Sequence, residues 1–347
     1  MLRLPPTALD AMLLDLVQEE IPLCKRPYAE LARRLGSKES IVLDRLAALH
    51  DGPTAPIRQL GAIFDSKALG YQSTLVAAKV PEDKLAAAAA VINRHPGVSH
   101  NYRRDHAYNL WYTLAVPPDS RIGLDRTVEI LRNQSGATEM RMLPTLKMYK
   151  IGVKLNLQTP AAHPPRSAAI PTPRPTSVAI NEISRKMIRA LQQDLPIIPE
   201  PFAAEAASQN VDVDELLVAA AQFREHGVMR RFSAVLRHRE LGFDANAMGV
   251  WIVPPARQDA FGSAAAQFPE VSHCYLRPSY PDFPYNIFTM IHAQDRQQAQ
   301  AIVQSISDAT GVKYFALLYS TEEYKKVRIR YFEPDIPAWE SAALDAL

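Results

Sequence analysis

The sequence predicts an α+β fold made of two repeats, each a winged helix-turn-helix followed by a ferredoxin-like β-α-β-β-α-β domain. Three observations predict it: a length of 347 residues, a proline-rich stretch near the middle, and an ordered series of matching residues on either side of that stretch. A chain of this length exceeds a typical single domain and suits two. Apolar residues make up 47% of the chain and charged residues 22%, which excludes a largely disordered protein.

The proline-rich stretch spans residues 158–178 and contains six of the 28 prolines. Such a composition favours extended polyproline conformations and cannot build a packed core. We therefore predict a linker there, between a first half at 1–157 and a second half at 179–347. The expected subdivisions are helix-turn-helix modules at 1–60 and 179–232 and ferredoxin-like domains at 61–157 and 233–347.

Similar residues recur in the two halves at a nearly constant offset. The matched pairs are His100 and His273, Tyr102 and Tyr275, Arg104 and Arg277, Tyr108 and Tyr285, Asn109 and Asn286, Trp111 and Phe288, and Gly136 and Gly311. One such match would mean little, but an ordered series indicates duplication or fusion of related chains.

The start of the first half has the pattern of a winged helix-turn-helix. Apolar residues at helical spacing predict a helix over residues 8–18. Pro27 suits the first turn of a second helix, and Ser37 is expected to cap a third, over residues 38–50. Helices of this size joined by a turn make a helix-turn-helix, and residues 57–65 are expected to form the strand of its wing.

A ferredoxin-like order of elements follows in each half. In the first half we predict strands at 73–80, 98–104, 108–116 and 138–143 and helices at 83–94 and 124–133. In the second half we predict strands at 247–253, 271–277, 286–292 and 312–318 and helices at 258–267 and 296–308.

Charge and cysteine content indicate whether the protein binds nucleic acid and in which compartment it is expected. The formal net charge is +2, which gives no bulk electrostatic case for binding nucleic acid. Cys24 and Cys274 lack the spacing of a metal site and are typical of a reducing compartment. Without an apolar stretch of membrane-spanning length or the pattern of a signal peptide, we expect a cytoplasmic protein that does not enter the membrane.

A helix-turn-helix suggests DNA binding, but the charges of the recognition helices oppose it. In the first half, Lys38 and Arg45 are balanced by two acids. In the second half the corresponding segment carries Asp212, Asp214 and Glu215 and no basic residue. Because phosphates repel such a helix, we expect no specific DNA binding.

The matched histidine strands are the strongest candidate site. His100, Tyr102 and Arg104 alternate along a predicted strand, so their side chains share one face, and their counterparts do the same. Imidazole can ligate a metal or move a proton near neutral pH, and guanidinium can hold a carboxylate. Candidate substrate-binding residues on or beside these strands are Arg103, Tyr108, Asn109, Trp111, Tyr285 and Asn286. The combination suits a large, flat, anionic ligand.

Basic segments after the last predicted strand of each half form a second candidate cluster. Residues 146–154 match residues 322–330, and the candidates for anion binding are Lys147, Lys150, Lys325 and Lys326. A solvated surface segment is an equally good interpretation. The signatures of Walker loops, dinucleotide-binding loops, zinc proteases, serine hydrolases and CxxC redox sites are missing.

These residues resemble those of the siroheme decarboxylase family. The shared pattern is V-S-H-x-Y-x-R, then Y-N, then T with Y-K following, at 98–104, 108–111 and 145–150 and again at 271–277, 285–288 and 321–325. Members of that family resemble Lrp/AsnC regulators and occur as paired subunits or as a fused chain. The two halves here resemble the fused form found in heme d1 biosynthesis.

The resemblance implies a reaction and roles for the matched residues. Two acetate groups of siroheme lose carbon dioxide and become methyl groups, giving didecarboxysiroheme, with no added cofactor because the iron is part of the substrate. His100 or His273 would be an axial iron ligand or an acid. The tyrosines Tyr102 and Tyr275 and the arginines Arg104 and Arg277 would orient the substrate or relay protons.

The resemblance leaves the choice of half and the assembly open. Residues 278–284 contain an insertion that would wall a pocket, which favours catalysis in the second half. Expected partners are siroheme and homologous decarboxylase subunits, and the chain is either a monomer of two pseudo-symmetric halves or a homo-oligomer. Two alternatives use the same features: a tetrapyrrole-binding regulator or heme sensor, and an Lrp-type DNA-binding regulator.

Overall fold

The computed structural model describes residues 7–52, 55–151, 180–236 and 245–345. The predicted linker at 158–178 lies outside the described residues. The fold class is confirmed, because a helical module followed by a β-α-β-β-α-β unit occurs twice. None of the helices in the described ranges combines the length and hydropathy that a bilayer crossing requires.

The helices are α1 (Ala8–Glu19), α2 (Pro27–Arg34), α3 (Glu39–His50), α4 (Leu85–Asn93), α5 (Leu124–Ser135), α6 (Glu182–Leu191), α7 (Pro201–Ser208), α8 (Val213–Glu225), α9 (Gln258–Ala265), α10 (Arg296–Thr310) and α11 (Asp335–Asp345). The strands are β1 (Ile57–Phe64), β2 (Gln72–Lys79), β3 (Val98–Arg104), β4 (Leu110–Val116), β5 (Glu139–Leu143), β6 (Lys147–Ile151), β7 (Met229–Leu236), β8 (Ala245–Trp251), β9 (Val271–Leu276), β10 (Ile287–Ala293) and β11 (Phe315–Lys326).

Local sequence explains where the first helices begin. Thr7 and Asp10 form a capping box at the start of α1, each side chain accepting a hydrogen bond from the other's backbone. Ser37 does not cap α3 as predicted. The N-cap is Lys38, which makes no side-chain capping bond, and the Ser37 amide instead donates to the Ala32 carbonyl at 2.9 Å.

The two helical modules form one unit. The predicted wing strand is present as β1, but its antiparallel partner is β7, the wing of the other half. Pairing runs from Ile57 opposite Leu236 to Phe64 opposite Met229. A single apolar core, which includes Leu13 and Phe202, draws on all six helices of the two modules. Burial of this shared core holds the modules together.

The ferredoxin-like units are joined into one sheet of nine strands. Their order is β5-β2-β4-β3-β11-β8-β10-β9-β6. Strand β11 begins as the last strand of the second half and then pairs with β3 of the first. Strand β6, which continues the first half, pairs with β9 of the second. The segments predicted to lie after the last strands are therefore themselves strands, exchanged between the halves.

Helices cover one face of each four-stranded unit, and the other faces pack together. Side chains such as Leu131 of α5 and Val303 of α10 belong to separate cores on the helical sides. A further cluster draws Trp111 from the first half and Val250 and Phe288 from the second. The two four-stranded units of the nine-stranded sheet therefore pack against each other through these faces.

A C-terminal helix, which was not predicted, packs against the first half. Trp339 of α11 lies edge-on to the buried ring of His95, with the centroids 4.3 Å apart. The buried carboxylate of Glu340 accepts hydrogen bonds from the Ser120 hydroxyl and the Arg121 amide. The end of the second half thus adds another link between the halves.

Gly262 offers a test of the exchange of β6. A Cβ atom at this position of α9 would stand 2.4 Å from a ring carbon of Tyr149 in β6. We expect Gly262→Ala to lower the free energy of unfolding by about 1–3 kcal/mol through overpacking. The measurement is chemical denaturation of Gly262→Ala, Tyr149→Ala and the double variant. If the tyrosine clash is the cause, the glycine substitution will cost much less in the Tyr149→Ala background.

Candidate functional site

Strand β3 places the first histidine triad on one face. The rings of His100 and Tyr102 have centroids 6.2 Å apart. The guanidinium carbon of Arg104 lies 6.0 Å from the Tyr102 ring centroid and 5.9 Å from that of Trp111. Asn101 lies between His100 and Tyr102 in sequence and is buried on the helical side, where its amide donates a hydrogen bond to Asn93. We call this surface the His100 face.

Strand β9 repeats the arrangement. The rings of His273 and Tyr275 are stacked with centroids 5.9 Å apart. The Arg277 guanidinium carbon lies 4.9 Å from the Tyr275 centroid and 5.5 Å from that of Phe288. We call this surface the His273 face. The prediction that each triad shares one side of its strand is confirmed.

A serine orients each histidine. The Ser99 hydroxyl lies 3.0 Å from Nδ1 of His100, and the Ser272 hydroxyl lies 2.8 Å from Nδ1 of His273. Such a partner fixes the ring and leaves Nε2 as the nitrogen suited to an external ligand. These serines belong to the V-S-H pattern shared by the two halves, but they are not among the candidate residues predicted from the sequence.

Strand exchange completes each face with residues of the opposite half. On β11, Glu323 pairs with Tyr102 and Lys326 pairs with His100. The corresponding neighbours on β6 are Met148 beside Tyr275 and Ile151 beside His273. Met148 and Ile151 are each 46% exposed. The His100 face therefore has a charged neighbouring strand, whereas the His273 face has an apolar one.

Three of the four candidate lysines do not lie on these faces. Lys147 donates to Asp259 of α9 at 2.7 Å, Lys150 to the Phe268 carbonyl at 2.8 Å, and Lys325 to the Asn93 carbonyl at 2.8 Å. All three make these contacts on the helical side. Strict alternation is interrupted by a register shift in each strand, between Met148 and Lys150 in β6 and between Glu323 and Lys325 in β11. The predicted basic cluster is corrected to Lys326. Arg103 also points to the helical side, where it pairs with Glu82.

The two matched asparagines have a structural task. Asn109 accepts from the Val80 amide at 3.0 Å and donates to the Val80 carbonyl at 2.8 Å. Asn286 makes the same pair of bonds with Val253, at 3.0 and 2.8 Å. Because both ends of each amide are already used, the prediction that these asparagines bind substrate is corrected: they hold the chain where it leaves β2 and β8.

The matched arginines each reach across to the opposite half of the chain. Arg104 donates to the carbonyl of Leu318, 2.8 Å away in the second half, and Arg277 donates to the carbonyl of Leu143 in the first half. In the described part of the chain neither Nε atom has a hydrogen-bond partner. Burial lowers the pKa of each guanidinium to about 10, so both stay charged at neutral pH. Each arginine places a positive charge beneath its tyrosine.

The aromatic candidates and the insertion meet at the interface between the halves. Phe283, from the inserted segment, is fully buried, with its ring centroid 5.4 Å from Tyr108 and 5.7 Å from Trp111. Tyr285 packs on the same ring at 5.2 Å. Asp282 accepts from the Tyr108 hydroxyl at 2.5 Å. The insertion therefore stabilises the contact between the halves. The expectation that it walls a pocket, which favoured catalysis in the second half, is not supported by this position.

Electrostatics distinguish His100. Burial lowers its pKa to about 4, with Lys326 and Arg58 contributing and Glu323 opposing. The imidazole is therefore neutral near pH 7, the form that ligates a metal. Arg58, on wing strand β1, donates to the Lys326 carbonyl at 2.9 Å. Arg58 is not among the candidate residues predicted from the sequence.

The wing of the other half carries an arginine at the corresponding position. Arg230 on β7 forms an ion pair with the buried Asp65 at 2.7 Å. Burial raises the pKa of Tyr275, with the charges of Arg277 and Arg230 acting in the opposite direction. Its phenol is thus protonated at neutral pH. Arginines at the start of both wings were the available sequence signal.

Known proteins match the chain along nearly its whole length. A siroheme decarboxylase NirDL-like helix-turn-helix family matches residues 10–52 and 184–230, and an AsnC-like ligand-binding domain matches residues 68–150 and 240–325. A siroheme decarboxylase of Hydrogenobacter thermophilus is 37% identical over 335 residues, which is 96% of this chain and 98% of that one.

Two further comparisons concern assembly and ligand. A siroheme decarboxylase alpha subunit of Desulfovibrio desulfuricans is 47% identical over 152 residues, covering 43% of this chain and 84% of its own. The crystal structure of the siroheme decarboxylase NirDL in complex with an iron-uroporphyrin III analogue superimposes with a TM-score of 0.77. It is 32% identical and covers 96% of this chain and 98% of that one.

Proposed function

The chain belongs to the siroheme decarboxylase family, and from this premise we propose that it removes carbon dioxide from two acetate side chains of siroheme, giving didecarboxysiroheme. It would thus act as a carboxy-lyase in the formation of heme d1 or of heme made from siroheme. The observation that carries the proposal is the His-Tyr-Arg face, present twice and completed each time by a strand of the opposite half.

The chemistry requires three things of the protein. In each step the bond between the methylene and carboxyl carbons breaks, and its electron pair remains on the carbon attached to the ring. The conjugated ring spreads this charge, and nearby cations stabilise it. Carbon dioxide leaves, and a proton added to the carbon gives the methyl group. The protein must therefore hold the ring, supply positive charge and deliver a proton.

The residues of the two faces suit these tasks. His100, neutral near pH 7, would hold the iron of the substrate through Nε2, with Ser99 at Nδ1 fixing the ring. On the other face, His273 has the same serine partner at Nδ1. The protonated phenol of Tyr275, and Tyr102 on the other face, would deliver the proton. Arg104 and Arg277 would stabilise the developing negative charge from below each tyrosine. No added cofactor is required, since the iron arrives with the substrate.

We propose the His100 face as the principal catalytic face. Lys326 and Arg58 act on His100, and the charge of Arg104 lies beneath Tyr102. On the His273 face, Ile151 takes the place of Lys326, and Arg230 is already paired with Asp65. A carboxylate-rich substrate favours the face beside which more basic side chains lie. The His273 face would then bind substrate weakly or support the fold.

The direct test is anaerobic incubation of the purified protein with siroheme, followed by mass spectrometry of the tetrapyrrole. We expect the loss of one and then two carbon dioxide masses. A control with heat-denatured protein measures spontaneous decarboxylation. Siroheme that binds but keeps its mass would contradict the enzymatic proposal and favour a tetrapyrrole sensor. Absence of binding would contradict both and favour a DNA-binding role.

A further inference from the structure

A group of arginines lies where the paired wings meet strand β11. Arg58 of β1 donates to the Lys326 carbonyl at 2.9 Å, and Lys326 lies opposite His100 in the sheet. Arg328, two residues later, donates through Nη2 to the carbonyl of Ala62 on β1, also at 2.9 Å. Arg231 stands on the partner wing strand β7, opposite Ile63. We call Arg58, Arg231 and Arg328 the wing arginine cluster.

The cluster has an excess of positive charge. Burial lowers the pKa of Arg328, and the charges of Arg58 and Arg231 act in the same direction. In the described ranges none of the three forms a salt bridge, and the buried Nη1 atom of Arg328 has no hydrogen-bond partner. Asp194 is the carboxylate that acts favourably on Arg328, but it is bound to His50 and to the Leu60 amide. Like charges held together in this way destabilise each other until an anion binds.

Among the described residues, the opposite side of the molecule does not repeat this excess. The counterpart of Arg58 is Arg230, which is neutralised by Asp65. The counterpart of Lys326 in the register beside the histidine is Ile151. The two halves therefore differ here despite their pseudo-twofold relation. Among the described residues, the cluster occurs on the His100 side.

We propose that the wing arginine cluster binds peripheral carboxylates of the tetrapyrrole on the His100 face, so that the paired wings of the helix-turn-helix modules help to select the substrate. The inference rests on the proposed function, because it assumes that the His100 face takes a tetrapyrrole. Guanidinium groups recognise carboxylates through paired hydrogen bonds. The cluster lies against β11 at the junction with the sheet, which favours a ligand of the His100 face over a DNA duplex.

The test measures the affinity of the full-length chain for two probes, iron uroporphyrin III and iron coproporphyrin III, which has fewer carboxylates. We expect wild type to bind the uroporphyrin more tightly. Arg58→Gln/Arg328→Gln should weaken uroporphyrin binding by about 10-fold or more, with a smaller effect on coproporphyrin. Spectral titration at two salt concentrations gives the dissociation constants. The matched control is Arg126→Gln, which removes an exposed arginine of α5 that pairs with Glu129.

The outcomes separate the two proposals. If wild type decarboxylates siroheme while the double variant keeps wild-type affinity for both probes, the cluster inference is wrong and the proposed function stands. If wild type neither binds the probes nor converts siroheme, the proposed function is wrong and the inference falls with it. Arg231→Gln provides a second test should the double variant fail to fold, because Arg231 is exposed. Unchanged discrimination between the probes in that variant would also overturn the inference.

Discussion

We expect His100→Ala to lower the turnover of siroheme by at least about 100-fold, because it would remove the proposed iron ligand and with it the side chain proposed to position the substrate. The loss should appear in kcat, and the absorption spectrum of the bound iron tetrapyrrole should change with it. Ser99→Ala will have a smaller effect, since the ring remains but loses its partner at Nδ1. Steady-state kinetics and spectra of the purified variants provide the measurement.

His273→Ala is the matched control, because it removes the same side chain from the pseudo-equivalent strand. We expect it to keep most of the turnover. Added imidazole should restore the iron spectrum of His100→Gly, because it can replace the missing side chain. If the substitution only disturbed the fold, imidazole would not restore the spectrum. A large loss in His273→Ala with normal turnover in His100→Ala would transfer catalysis to the other face. Wild-type turnover in both alanine variants would contradict the site assignment as a whole.

Much of the fold could be predicted because the relevant information is local. Apolar spacing gave α1 to within one residue of its observed end, and strand alternation placed His100 and Tyr102 on the same face. The exchange of β6 and β11 could not be predicted in this way. A segment such as residues 147–151 shows in its sequence that it is extended, but not which half supplies its neighbour. The same limit applies to the wings, where β1 pairs with β7.

The site shows a different limit. Recurrence in both halves identifies residues that a shared fold preserves, but it does not say why they are preserved. His100 and Asn109 recur equally well, yet the asparagine holds the backbone of Val80 whereas the histidine lies on the candidate face. The difference lies in hydrogen bonds to distant residues. Conversely, Arg328 has no matching arginine in the first half. Only its hydrogen bond to Ala62 of β1 indicates a connection with the His100 face.

Separated halves will not fold alone, whereas the two halves produced together as residues 1–157 and 179–347 will assemble into an active complex. Alone, the first half would leave β3 without β11, β6 without β9 and β1 without β7. It would also expose its share of the apolar core formed by helices of both modules. Unpaired edges and uncovered apolar surface of this kind lead to aggregation.

Each half, alone and in the co-produced pair, can be measured by thermal unfolding, size-exclusion chromatography and siroheme turnover. We expect a cooperative unfolding transition and turnover for the pair and for the intact chain, and neither for a single half. The control is the intact chain with a protease site introduced within residues 158–178 and cleaved after folding. A single half that unfolds cooperatively as a monomer would show that strand exchange is dispensable for its fold. Activity of a single half would further contradict the composite site, because Lys326 reaches the His100 face only from the second half.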